Sequence, residues 1–574
     1  MGFLSPNLPQ LELEEWRRGT RSERMRPMAR HLAENGFGTP GVVYLVYVVK
    51  IGLYVLGGMA FALSTYGIDG FTDVGSWWDE PVVFQKVVLW TMLFEVLGLG
   101  CGFGPLNNRF APPLGSFLYW LRPGTIRLPP WPGRLLGTAG SRRTAVDVVL
   151  YAGLVGSLLG ALLSDATRTA GGLGGIGLLP VAPVATVLVL LTLVGLRDQV
   201  IWLAARGEVY GTLAVTFLLA GADGFVAAKL VMLVIWWGAA TSKVNQHFPF
   251  VVAAMLGNSP VFRPRALKRR LVRRFPDDLR PSRLAAGLAH GGTVVEYAAP
   301  LVLFVSSGGS VTTVAAVVMV LFHLSILSSM PMGVPLEWNV FMIFGIATLF
   351  VDKAGVGLAD LTDPLPVVAL VSVVVMTVVV GNLFPHKVSF LPAMRYYAGN
   401  WDTTLWCVTP SAVEKIEAKV LTAASLPHKQ LETFYGPEQA EVPLFVGYAF
   451  RGTNTHGRAL FTLVPRACAG RPEEDYLVVD GELLAGNVLG WNFGDGHLHD
   501  EQLIEALQGR CAFEPGEVRV ILLDAQPIHR QTQDFRIVDA ATGELERGRF
   551  RVADMVVRQP WATDVPFEPL TAPA

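Results

Sequence analysis

Apolar runs long enough to cross a membrane recur through the first two thirds of the chain, at 41–65, 82–103, 145–164, 178–196, 225–242, 285–306, 311–330 and 365–384. A helix crosses the hydrocarbon core with about 20 apolar residues, so each run predicts a transmembrane helix. Two shorter runs, 209–222 and 336–351, predict a tilted span, a re-entrant hairpin or a partly buried helix. The second, almost wholly apolar from Val340 to Val351, is the better candidate for a full crossing. Beyond about residue 400 the pattern becomes polar and alternating. LFVGYAF (444–450), RALFTLV (458–464) and EVRVILLDA (517–525) predict strands, and DEQLIEALQG (500–509) predicts a helix closing on a glycine. The chain as a whole predicts an α-helical polytopic membrane protein of nine or ten transmembrane helices with a C-terminal soluble α+β domain. Its expected divisions are an N-terminal arm over 1–40, a transmembrane domain over 41–385, a linker over 386–410 and the soluble domain over 411–574.

Composition supports this division. Of the 574 residues 51% are hydrophobic and only 16% charged, against about 25% charged in soluble domains. The net charge of −1 argues against a nucleic-acid partner, which would call for a basic domain. The cysteines (Cys101, Cys407, Cys468, Cys511) lie far apart with no CxxC pair, so neither a disulfide framework nor a zinc site is indicated. The arm before the first run is too long and too charged for a cleavable signal peptide.

Basic residues in short loops set orientation. The arm holds Arg17, Arg18, Arg21, Arg24, Arg26 and Arg30, and the loop after the second run is arginine-rich. PRALKRRLVRRFP (264–276) is the densest basic run, whereas 66–81 and 352–364 are acidic. With both short runs counted as crossings, every basic loop falls inside and both acidic loops outside. Ten spans result, with the N-terminus and the C-terminal domain cytoplasmic and the plasma membrane as the location. The segment RPGTIRLPPWPG (122–133) predicts a proline-stiffened loop lying on the membrane.

Ionisable groups inside spans are costly, so each is a candidate for function. Lys50, Glu95, His290, Glu296 and His323 lie within runs, and Glu337 and Asn339 open the short run after them. Glu95 is expected to be either the ionic partner of Lys50 or a proton-handling group, since buried charges are paired. His290 and Glu296 stand six apart, about 600° around a helix, so they face different sides. Lys86 and Lys229, near run ends, are expected to snorkel, and Asp147 is expected to be solvated. The run 225–242 ends in TSKVNQH (241–247), a cluster of hydrogen-bonding and proton-exchanging groups with Lys243 and His247 four apart.

ATSKVNQHFPFVVAAM (240–255) resembles the segment of vitamin K-dependent γ-glutamyl carboxylases that carries their base lysine, with Lys243 on the lysine and Phe248 on an aromatic position. LFHLSILSSMPMGVPLEWNVFMIFGIATLF (321–350) resembles that family's histidine-centred span, with His323 on the histidine. HGGTVVEYAAPLVLF (290–304) is similar to a span of the wider horizontally transferred transmembrane (HTTM) group, Glu296 and Pro300 matching. The likeness covers about 40–385. The whole chain, most distinctively GNVLGWNFGDGHLHDEQLIEALQGRC (486–511), also resembles an actinobacterial transmembrane family catalogued as a domain of unknown function.

The carboxylase resemblance implies an enzyme acting on a lipid-soluble, quinone-linked substrate. Lys243 would be a desolvated base, with His247 as proton relay and His323 and Glu296 binding the polar head; a reduced quinone is the implied cofactor. The alternative is a non-catalytic membrane scaffold or lipid-handling factor, in contact with the bilayer and docking protein partners through its tail. In the tail, Asp495, His497 and His499 of GDGHLHD offer a candidate metal set. Turns and an N-cap at His499 or Asp500 explain the same string.

Overall fold

A computed structural model describes residues 2–100, 116–329 and 336–570. The ends of the expected runs 82–103 and 311–330, and Cys101, lie outside these residues. Among them, six helices are long and apolar enough to cross a membrane: α2 (Gly41–Leu63), α4 (Ala145–Leu162), α6 (Gly221–Ser242), α8 (Arg283–Val305), α9 (Gly309–Ser329) and α11 (Pro364–Leu383). The other helices of ten or more residues in this region are α1 (Arg21–Asn35), α3 (Pro81–Val96), α5 (Val181–Arg197), α7 (Phe248–Asn258) and α10 (Leu336–Gly345). In α6, 78% of the apolar window is buried, against 17–33% in the other five, so α6 is the axis and the others present apolar faces outward. It packs against α8 and α11.

The difference from nine or ten spans lies in the buried, short and broken elements. Helix α3 is enclosed on nearly every side. The run 209–222 is a π-helical turn, Gly207–Gly211, followed by the short helix Thr212–Thr216, both buried. A Cβ at Gly207 would come within 2.5 Å of the Trp202 ring, so glycine lets the indole lie on the backbone there. The run 336–351 is α10 followed by a π-helical segment, Ile346–Asp352. Apolar content marks such segments as buried without saying whether lipid or protein covers them.

The C-terminal region is built on a six-stranded antiparallel sheet, order β4-β3-β5-β6-β7-β8, with β3 Thr403–Val408, β4 Leu477–Asp480, β5 Val518–Leu523, β6 Thr532–Asp539, β7 Gly543–Arg551 and β8 Phe567–Pro569. A separate hairpin, β1 (Val272–Arg274) and β2 (Asp278–Pro281), precedes α8. The sheet's helices are α12 (Pro410–Lys419), α13 (Glu441–Thr453), α14 (Thr455–Ala467), α15 (Gly481–Leu489) and α16 (Glu501–Cys511). Alternation sorts the sheet's two faces. Leu405, Cys407, Ile521 and Leu523 pack with α13, α14 and the N-terminal arm. Trp406, Val408, Val520 and Leu522 pack with α15, α16 and the membrane bundle. All of β3 is buried.

The strand expected at 517–525 and the helix expected at 500–509 are present as β5 and α16, with Asp500 as N-cap accepting from Gln502 N at 2.9 Å. The helix runs through Gly509 and stops at Ala512 with φ +50°. LFVGYAF and RALFTLV are not strands but parts of α13 and α14. Val442, Phe445, Val446, Ala449 and Gly452 share one helical face; a seven-residue window sees only the apolar run. The loop 122–133 also differs from expectation. Arg127 and Leu128 are buried, and Pro129 O accepts from Gln502 Nε2 at 2.7 Å, so the loop is pinned beneath the tail. Asp147 is buried rather than solvated, held by Arg127 at 3.0 Å and Arg197 at 2.6 Å.

Candidate functional site

The polar stretch at the end of α6 is a joint. Asn245 Nδ2 donates to Ser242 O at 2.6 Å, closing α6, and to Ala398 O at 3.0 Å. Its Oδ1 accepts from His247 N at 2.7 Å and Phe248 N at 2.9 Å, opening α7. One amide thus satisfies backbone groups that two helix ends leave unpaired. Pro249 fits the first turn of α7, where its missing N–H costs nothing. Thr241 Oγ1 donates to Trp237 O at 2.7 Å, and Gln246 Nε2 donates to Gln531 Oε1 of the tail at 3.1 Å.

Lys243 Nζ lies 2.8 and 2.6 Å from the two carboxylate oxygens of Glu296 on α8, and both residues are buried. The Phe248 ring stands 5.7 Å from the ammonium. His290, six residues earlier on α8, is exposed, as the 600° separation requires. Because α6 ends at Ser242, His247 is not one helical turn from Lys243. It enters the tail instead, hydrogen-bonded through Nδ1 to Thr455 Oγ1 and through Nε2 to Gln526 Oε1 at 2.9 Å. Burial lowers its pKa to about 4; the Gln526 bond opposes the shift and Arg395 and Arg458 reinforce it.

His323 is enclosed as well. Trp236 Nε1 donates to its Nε2 at 3.0 Å, and its Nδ1 meets Asn339 Oδ1 at 2.9 Å. Since an indole N–H only donates, Nδ1 carries the imidazole proton and gives it to Asn339. Lys243 is an electrostatic neighbour of this ring, so Lys243, Glu296 and His323 do share one region of the bundle. Lys50 pairs with Glu337 Oε2 at 3.0 Å and donates to Gly100 O at 2.9 Å. Glu95 is fully buried on α3, and Tyr54 is an electrostatic neighbour of both Glu95 and Glu337. Lys86 and Lys229 cap backbone carbonyls, of Phe61 at 3.1 Å and of Lys353 and Val356 at 2.7 and 2.5 Å.

The sequence reading missed a buried pair, Arg206–Glu208, at 2.6 Å. Arg206 has φ +53° and lies 4.5 Å from the Trp338 ring. The signal for it was an arginine and a glutamate on either side of Gly207, at the edge of a short apolar run. The tail partners Thr455 and Gln526 gave no local signal at all.

In the tail, Asp495 accepts from Ser389 Oγ at 2.7 Å, and His497 Nε2 lies 3.2 Å from Asp402 Oδ2 and 3.1 Å from Pro385 O. His499 Nδ1 meets Thr404 Oγ1 at 2.7 Å. The Gly496–Leu498 segment is a 3-10 turn rather than extended, so the two imidazoles serve separate partners. Among the described residues no group of three or more His, Cys, Asp or Glu side chains is placed to hold a metal ion. Burial would lower the His497 pKa, but Asp402, Asp495 and Asp500 raise it to about 10. Burial, with Asp402 and Asp534 nearby, pushes Asp524 up to about 7.

An open apolar groove of about 470 Å³ runs between α8 and α9, lined by Val294, Ala298, Val302, Val311, Val314 and Val318.

These features define a multi-pass transmembrane protein whose C-terminal α+β region is locked onto its helical bundle. The chain matches the family described as "Transmembrane protein of unknown function (DUF3556)" over residues 1–570, and it belongs to that family. No curated protein and no solved structure is matched. The resemblance to HTTM proteins and carboxylases therefore gains no support from these comparisons.

Proposed function

We propose that this protein is a non-catalytic membrane scaffold that presents its C-terminal region to protein partners at the bilayer surface. One observation carries the reading: the groups that would do chemistry at the end of α6 are each engaged by the protein's own partners. Lys243 is held by both oxygens of Glu296 and His323 lies between Trp236 and Asn339. His247 lies between Thr455 and Gln526. A general base needs a lone pair within reach of its substrate; these lone pairs and protons are committed to structure. The groove between α8 and α9 is suited to an acyl chain of the surrounding bilayer, which fits the lipid-contacting side of the same reading.

The second reading, catalysis on a lipid-soluble or quinone-linked substrate with Lys243 as base, is favoured by the gathering of Lys243, Glu296 and His323 in one region. Complementation separates the two. In a deletion strain, the double variant K243M/E296L carries neither ammonium nor carboxylate. Under the scaffold reading it restores the deletion phenotype to the wild-type level; under the catalytic reading it accumulates in the membrane and restores nothing.

The orientation that goes with the scaffold is N-terminus and tail in the cytoplasm, in the plasma membrane. The arm and tail pack on each other, and the basic run 264–276 lies beside them. Arg30 Nε donates to Pro276 O at 3.1 Å and Leu279 N to Gln559 Oε1 at 3.0 Å. Six Lys and Arg in that run favour the cytoplasmic leaflet and its anionic headgroups. A cysteine placed at the exposed Gly470 should react with an impermeant maleimide only after the membrane is opened; labelling of intact cells would reverse the assignment.

A further inference from the structure

Cys407 and Cys468, distant in sequence, are brought together by an arginine. Cys407 sits in β3 directly across from Arg519 of β5. Arg519 Nη1 donates to Ala467 O and Ala469 O, each at 2.8 Å, gripping the carbonyls on either side of Cys468 at the end of α14. That clamp holds the α14 terminus against β3, where the two cysteines sit in one buried cluster and act on each other electrostatically. Both are buried, yet Cys468 opens directly onto an exposed turn, Ala469, Gly470 and Arg471. Arg21 of the N-terminal arm, itself paired with Glu473, adds a second guanidinium beside Arg519.

We propose that Cys407 and Cys468 form a redox-active dithiol that closes into a disulfide, tying the end of α14 to β3. The asymmetry of the pair assigns the roles. Interaction with Cys407, together with Arg21 and Arg519, lowers the Cys468 pKa, whereas Cys468 and burial raise that of Cys407. Cys468 is thus the thiolate that reacts first, since thiolate and not thiol is the nucleophile. With hydrogen peroxide as oxidant, the Cys468 sulfur attacks one oxygen and breaks the O–O bond. The products are a sulfenic acid and hydroxide, which takes up a proton to become water. The Cys407 thiol then condenses with the sulfenic acid, forming the S–S bond and releasing a second water. Two thiols lose two electrons and two protons in all, and the peroxide is reduced to two waters. In a reducing cytoplasm the open form is the resting state and the disulfide is transient.

The test treats the purified full chain with hydrogen peroxide, alkylates the remaining thiols and maps the unreduced digest by mass spectrometry. The expected result is a Cys407–Cys468 cross-linked peptide, lighter by two hydrogens than its separate halves and lost on reduction. In C407A, dimedone should trap Cys468 as the sulfenic acid, while in C468A it should leave Cys407 unlabelled. Wild-type chain that keeps both thiols alkylatable after peroxide treatment, with no cross-linked peptide, would overturn the proposal without reliance on either variant.

Discussion

Lys243 and Glu296 illustrate how a buried charge is tolerated at the end of a membrane helix. Desolvating either alone costs several kcal/mol, and only the mutual attraction with good geometry offsets it. Contact of the ammonium with both carboxylate oxygens, at 2.8 and 2.6 Å, supplies that geometry. Removing one partner should destabilise the protein by about 3–5 kcal/mol, whereas replacing both with apolar side chains should be close to neutral. At this scale the sequence was informative. Lys50, Lys243, Glu296 and His323 stood out because a polar group inside an apolar run is conspicuous, and all four are buried. What could not be read was whom each one meets. Lys50 lies against Glu337, and Cys407 against Cys468, through contacts between segments far apart in the chain.

Between elements, the joint from α6 to α7 couples the bundle to the tail, and His247 makes it pH-dependent. Its ring is fully buried beside the neutral His456 and electrostatically close to Arg395 and Arg458, so a proton there would add a third positive charge. Above pH 6.5 the imidazole is neutral in both folded and unfolded chains. Between 6.5 and its folded value of about 4, the unfolded chain binds the proton and the folded one does not, so stability falls as pH falls. The loss attributable to this ring by pH 4 is about 3 kcal/mol. Burial lowers His456 and His499 too, acting in the same direction, while the raised Asp500 and Asp524 oppose them. The readout is therefore the difference between wild type and H247Q in unfolding experiments from pH 7 to 4. The wild-type curve should drop more steeply by about 3 kcal/mol; parallel curves would contradict the assignment. Element types were legible where a pattern was long, as in α2, α8, α9 and α11, or capped, as in α16 with Asp500. They were illegible in α13 and α14, where an apolar run of strand length belongs to a wider helical face.

As a whole molecule, the protein is a bundle and a sheet region held together from three directions. The arm contributes Trp16, edge-on to Phe445 at 5.1 Å, and Arg17, which pairs with Glu441 at 2.9 Å. The loop before α4 contributes Tyr119, whose hydroxyl donates to Val488 O at 2.6 Å, and Trp120, whose indole donates to Leu489 O at 3.0 Å. The α6–α7 joint contributes His247 and Gln246. A membrane anchor with a loosely tethered domain would need none of these, and interfaces between independent domains are usually more polar and more mobile. The polytopic α-helical class and the α+β tail followed from hydropathy and composition. The tight docking did not, because it depends on single polar residues meeting across the junction.

The central claim is that the polar stretch after α6 is structural. It is tested most directly by a double-mutant cycle at its buried pair, with unfolding free energies measured on the purified wild type, K243M, E296L and K243M/E296L. The account predicts that each single variant loses about 3–5 kcal/mol and that the double variant recovers most of that loss. If K243M alone were as stable as wild type, or the double variant were no better than the sum of the singles, Lys243 would not be held for structure and the scaffold reading would fail.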